Sequence, residues 1–166
     1  MKTHLISKFL LATALFALPL LAQAGTTEDF TKVVDAARAT YQPDREAFMA
    51  KELPLTGAEG KAFWPLYREY RAKMEQLGDS LIKLVLEYAG VYPNLPEDRA
   101  GKLLKDYTAL ETKLVSTRAS YLKRAGKILP PSKVLLWAQL ESRLDIALRQ
   151  QLASVVPLVP TAASKP

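Results

Sequence analysis

The stretch from Leu53 to Gly90 decides the fold, and it opens with Leu55-Thr56-Gly57-Ala58-Glu59 followed by Phe63-Trp64-Pro65. Thr56 and Glu59 have the T-x-x-E spacing of a capping box. The Thr hydroxyl can accept from a backbone N–H one turn on, and the Glu carboxylate can reach back to the Thr N–H. Behind this start, Phe63, Leu66, Tyr67, Tyr70, Met74, Leu77, Leu81, Leu84, Val85 and Tyr88 recur at i, i+3, i+4 and i+7, the spacing of one helical face. The pattern predicts a helix from Gly57 to about Gly90, roughly 50 Å long at 1.5 Å per residue. Pro65 removes one donor from its ladder, so a kink near Lys61 is expected.

The remaining segments read the same way. Upstream, Phe30, Val33, Val34, Ala37 and Tyr41 keep helical spacing, Pro43 interrupts, and Ala47, Phe48 and Leu53 continue. This predicts one broken helix or two short ones from about Thr27 to Lys51. Downstream, Pro96-Glu97-Asp98 carries the start signals of a third helix, with Pro first and acids in the opening turn. Its apolar stripe is Leu103, Leu104, Tyr107, Leu110, Leu114, Tyr121, Ala125 and Ile128. Leu129-Pro130-Pro131 stops it, and Ser132 is placed to help cap a fourth helix. That helix's apolar face is Val134, Trp137, Leu140, Leu144, Ala147, Leu148, Leu152 and Val155, ending before Pro157. The tail from Leu158 to Pro166 is rich in Pro, Ala and Ser and is read as a flexible end. No segment alternates at period two for long enough to be a strand. The expectation is all-α: four or five helices, several of them long, joined by short turns that make neighbours antiparallel. Such a chain builds an elongated antiparallel helical hairpin or curved bundle, with part of its apolar face left for a second copy, so a homodimer is expected.

Composition narrows the function. In 166 residues, 49% are apolar and 24% charged, which is a globular balance. The net charge of +6, from 23 basic and 17 acidic residues, weakly favours anionic surfaces and does not by itself make a nucleic-acid protein. Cysteine is absent, so there is no disulfide and no thiolate chemistry. The single histidine, His4, lies in a segment that reads as an address. Lys2 and Lys8 are followed by an apolar run from Phe9 to Ala22 and the small-x-small site Ala22-Gln23-Ala24. This is the pattern of a secretory signal peptide cleaved after residue 24. Removing Lys2 and Lys8 with it leaves 21 basic and 17 acidic residues, a net charge of +4. The expected layout is a signal peptide over 1–24, a single all-α domain over 25–156 and a tail over 157–166, working in a periplasm without stable membrane insertion. Nucleic acid is not expected as a partner there, nor ATP or NAD as a cofactor.

The start Leu55-Thr56-Gly57-Ala58-Glu59 has two echoes, Leu95-Pro96-Glu97-Asp98-Arg99 and Leu129-Pro130-Pro131-Ser132-Lys133. In each, a leucine anchors the turn and a Thr or Pro sets the first helical residue. With the secretory leader and the all-α pattern, these resemble the LTxxQ-motif periplasmic family that contains the Spy and CpxP stress proteins, over about Leu53 to Val156. Glu59 and Arg99 stand where that motif has Gln. The chain also looks like an uncharacterised branch of the family, with Phe63-Trp64-Pro65-Leu66-Tyr67, Leu129-Pro130-Pro131-Ser132-Lys133, and Gln139-Leu140-Glu141 followed by Leu144-Asp145. The resemblance implies a thin, curved helical hairpin that dimerises into a cradle. It implies action without ATP, holding unfolded clients or modulating an envelope stress sensor. A zinc-binding member uses histidines, and the chain after residue 24 has none, which argues against a metal here.

Candidate chemistry is sparse. Glu141 and Asp145 share a helix face at i, i+4 and could form a hydrolytic acid pair. The preferred alternative is structural: Asp145 paired with Arg149 along the helix, and Glu141 reaching a base on a neighbouring helix to order a junction. Ser116, Ser120 and Ser132 have no histidine to activate them. Trp64, Tyr67, Tyr70 and Trp137 could stack on a ligand, but aromatics at this spacing are more often core. Two surface features remain: Arg68, Arg71 and Lys73 interleaved with those aromatics, and a basic stripe of Lys102, Lys105, Lys113, Lys123, Arg124 and Lys127. Basic charge beside apolar surface suits a promiscuous binder of unfolded chains. The alternative reading is a solvated helix face. The chain is therefore expected to be a binding protein: an ATP-independent chaperone, or else an adaptor docking on a membrane sensor kinase or envelope assembly. An enzyme is the least expected class.

Overall fold

A computed structural model describes residues 45–160. The leader, the part of the expected broken helix before residue 45 and the last six residues lie outside that range. Among the described residues every regular element is helical: α1 (Arg45–Glu52), α2 (Gly57–Ala89), α3 (Glu97–Ala125) and α4 (Pro131–Val155). None of these helices is long and apolar enough to cross a membrane.

The ends follow the local signals. Thr56 caps α2 through the full capping box: the Thr56 N–H donates to Glu59 Oε2 at 2.7 Å, and the Glu59 N–H donates to Thr56 Oγ1 at 3.3 Å. The helix then runs unbroken through Pro65 for 33 residues. The donor that Pro65 lacks would have served the Lys61 carbonyl, and both residues are exposed, so solvent can take its place. α2 ends at Gly90, in right-handed geometry (φ −67°, ψ −15°), with its N–H on the Leu86 carbonyl. α3 starts after Pro96, with Glu97 and Asp98 at the positive end of its dipole. α4 differs in detail from expectation. Pro130 holds the cap position and Pro131 the first turn, with no side-chain cap, so Ser132 lies inside the helix and does not cap it.

α2 and α3 pack against each other in opposite directions. Glu69 meets Arg124, Tyr70 meets Tyr121, and further along Glu87 meets Lys102. One end of this pair is covered by α1 and α4, and there the core lies. Met49 and Leu53 come from the first segment, Phe63, Leu66, Tyr67, Tyr70 and Met74 from α2, and Leu110, Leu114, Tyr121 and Ala125 from α3. Leu129, Trp137 and Leu140 complete it. The other end is thinner. Beyond Met74, the apolar residues of α2, including Leu77, Leu81, Leu84, Val85 and Tyr88, are only partly buried. In α3 the expected stripe is only partly internal. Leu103 is half-buried, while Leu104, on the flank of α3, and Tyr107, at the thinner end of the pair, are exposed.

Candidate functional site

The aromatic residues singled out by sequence converge on Trp137. Its ring meets Phe63 at 5.3 Å and Tyr70 at 5.2 Å, both edge-on, and Tyr67 at 6.3 Å. Phe63 also stacks on Tyr67 at 5.6 Å, and Trp64 packs edge-on against Phe63 at 5.2 Å, lying over buried Gly60. Trp137, Tyr67, Tyr70 and Phe63 are buried, so this cluster is core, and its faces are not open to a stacking ligand. Pro65 is exposed on the far side of the same helix.

Next to the aromatic cluster lies a buried ionic junction to which all four helices contribute. Glu141 of α4 is 1% exposed. Its Oε2 faces Arg45 Nη1 of α1 at 3.4 Å and Arg71 Nη1 of α2 at 3.8 Å, and accepts from the Tyr70 hydroxyl at 3.3 Å. Asp145, one turn on, accepts from Arg118 of α3 and lies 3.8 Å from Arg45. The Tyr67 hydroxyl donates to the Arg45 carbonyl at 3.5 Å. Burial, and then the neighbouring Arg71, push the Arg45 guanidinium below its ordinary value against the pull of Glu141. Burial first, and then the Glu141 charge, push both the Tyr67 and Tyr70 phenols up, which keeps them as donors. Among the described residues Glu141 Oε1 and Trp137 Nε1 are buried without a hydrogen-bond partner.

Asp145 does not pair with Arg149. It crosses to α3 and α1, and Arg149 pairs instead with Glu111 of α3 at 3.0 Å. Glu141 does reach bases on neighbouring helices. The two carboxylates thus serve four helix contacts and face guanidinium groups, an arrangement that holds charge in place.

The repeated helix starts also meet. Lys133, last residue of Leu129-Pro130-Pro131-Ser132-Lys133, donates to Glu59 Oε2 at 2.6 Å, so the capping box of α2 and the first turn of α4 share one carboxylate. That bond, and then the bond from the Thr56 N–H, pull the Glu59 carboxyl down to about 2. Leu129 is buried against the core, Leu55 packs on its edge, and Pro130 is exposed.

The basic residues separate into two groups. Arg68 makes a two-point pair with Glu46, Arg71 enters the junction, Lys102 bridges Glu87 and Asp106, and Arg124 makes a two-point pair with Glu69 while lying over the Tyr121 ring. Arg124 and then Tyr121 pull the Glu69 carboxyl down to about 2. Lys105, Lys113, Lys123 and Lys127 are exposed and make no ion pair among the described residues. Beside them on α3 lie Leu104 (64% exposed), Tyr107 and Val115 (63% exposed), spaced three and eight residues apart along one flank. The apolar stripe expected from sequence includes Leu104 and Tyr107, which are exposed, and does not include Val115. Helical periodicity identifies an apolar residue, but the neighbouring helices decide whether it is covered.

No known protein family, no curated protein and no solved structure matches this chain.

Proposed function

We propose that this chain is a periplasmic, ATP-independent chaperone-like protein that holds unfolded or stress-damaged envelope proteins, built on the pattern of the LTxxQ-motif (Spy/CpxP-like) family. The observation that carries this reading is the outer surface of α3. Leu104, Tyr107 and Val115 stand exposed on a 29-residue helix that also carries exposed lysines making no ion pair among the described residues. Exposed aliphatic residues grouped along a helix mark an interaction surface. A rigid helix offering apolar contacts next to mobile positive charge binds many unfolded chains weakly and releases them without ATP. In this reading the protein is exported by its leader and cut after residue 24. Residues 25–156 then form one elongated helical hairpin that dimerises, with the ionic junction keeping the binding helix straight while clients come and go.

The test is in-cell crosslinking from a photoreactive residue placed at Val115, with the captured proteins identified by mass spectrometry. The chaperone reading predicts many envelope proteins, increasing under unfolding stress. A single dominant partner would replace it with an adaptor that docks on one sensor kinase or assembly.

A further inference from the structure

The lysine row and the apolar flank of α3 are two different surfaces. Leu104 and Lys105 are adjacent in sequence, and one residue turns an α-helix by roughly 100°. Lys105, Lys113 and Lys123 lie within about a quarter turn of one another; Lys105 and Lys123 point away from the inward residues Leu103, Leu110, Leu114, Tyr121 and Ala125, and Lys113 lies on the flank between. Lys127 continues the row in the turn after the helix. From Lys105 to Lys123 the row is about 27 Å long.

The ground between the lysines is low. It holds Thr108, Ala109, Thr112, Ser116 and Ser120, all exposed and all short. Three of the hydroxyls are folded back onto their own helix. Thr108 Oγ1 donates to the Lys105 carbonyl at 2.9 Å, Thr112 Oγ1 to the Thr108 carbonyl at 2.9 Å, and Ser116 Oγ to the Lys113 carbonyl at 3.2 Å. Nothing between Lys113 and Lys123 therefore stands as high as the lysine stems. The carboxylate that borders the row, Asp106 beside Lys105, is already held by Lys102 at 2.7 Å, and Asp98 sits two turns before the row begins.

We infer that this face of α3 docks on an anionic bilayer surface, lying flat with its four lysine ammonium groups among lipid phosphates. Charge complementarity favours this occupant. A straight, low-relief row of flexible cations, whose bordering carboxylate Asp106 is already paired with Lys102, matches a plane of mobile headgroup phosphates, whereas a folded acidic partner would need relief to fix its register. The contact is peripheral and needs no insertion, and it leaves Leu104 and Val115 about a quarter turn from Lys105, open at the side, with Tyr107 further round, away from the lysines. The inference stands on the lysine row alone and holds whether or not the apolar flank binds clients.

The experiment is co-sedimentation of the protein, in the form isolated from expressing cells, with two vesicle types. One is pure phosphatidylcholine and the other an equimolar mixture of phosphatidylcholine and phosphatidylglycerol. The protein should bind the anionic vesicles selectively and lose them as salt shortens the screening length. Each lysine near such a surface contributes about fivefold, so K105Q/K113Q/K123Q/K127Q should weaken binding on the order of several hundredfold. The matching arginine variant should restore it. A second variant, K51Q/K61Q/K73Q/K83Q, removes the same charge from α1 and α2 and should keep most of the binding. Far-UV circular dichroism checks that each variant is folded. Equal losses from both glutamine variants would overturn the inference, because net charge would then suffice. So would capture of soluble polyphosphate with no preference for anionic vesicles.

Discussion

At the residue scale, Glu59 shows how one side chain can carry a motif. It closes the capping box on Thr56 and also accepts from Lys133, so a signal for starting one helix becomes a contact that positions another. Thr56→Ala removes the acceptor for the Glu59 N–H and should cost about 1 kcal/mol, read as a lower denaturation midpoint with an unchanged denaturant slope. The carboxyls of Glu59 and Glu69, both held down to about 2, also set an acid response. A carboxyl with a depressed folded value binds protons more readily in the unfolded chain. Its contribution is therefore complete above the ordinary carboxylate value and is lost as pH falls from there to about 2. Stability measured by denaturant titration should decline through that window, and Glu59→Gln combined with Glu69→Gln should flatten the decline. An unchanged acid limb in the double variant would show that these two pairs do not form in solution.

At the element scale, the helices were legible where the signal is local. The capping box gave the start of α2, Pro96-Glu97-Asp98 that of α3, and Pro130-Pro131 the break before α4. The apolar face from Phe63 to Met74 was correctly read as internal. What crosses between helices was not legible. Asp145 and Arg149 have the spacing of a helix-local pair, but an i, i+4 surface pair is worth only a few tenths of a kcal/mol. Arg118 and Arg45, brought up by other helices, outcompete it. The Glu59–Lys133 bond joins residues 74 apart, and no periodicity reveals it. The exposure of Leu104 was hidden for the same reason, since the stripe was visible but its partner was not. The junction itself makes a prediction. Glu141→Ala leaves Arg45 and Arg71 facing each other in a buried site and should cost about 3–5 kcal/mol. If a thermal melt shows a loss within that of an ordinary surface substitution, α1, α2 and α4 are not held together by this carboxylate.

At the scale of the whole molecule, the fold keeps its buried charge and aromatic rings at one end and spends little of α3 on covering itself. Core, junction and paired arginines account for Arg68, Arg71, Lys102 and Arg124 as structural groups. That assignment moves the candidate working surface to Leu104, Tyr107 and Val115, with Lys105, Lys113, Lys123 and Lys127 on the adjoining face. None of these side chains stabilises the fold much, so removing them should change binding without unfolding the chain. The direct measurement is light scattering from a chemically unfolded client protein diluted into buffer with a stoichiometric amount of this protein. The wild-type chain should slow aggregation without ATP, and L104S/Y107S/V115S, with an unchanged melting temperature, should lose most of that protection. Equal protection by the variant and the wild type, or none from the wild type across several clients and salt concentrations, would contradict the account.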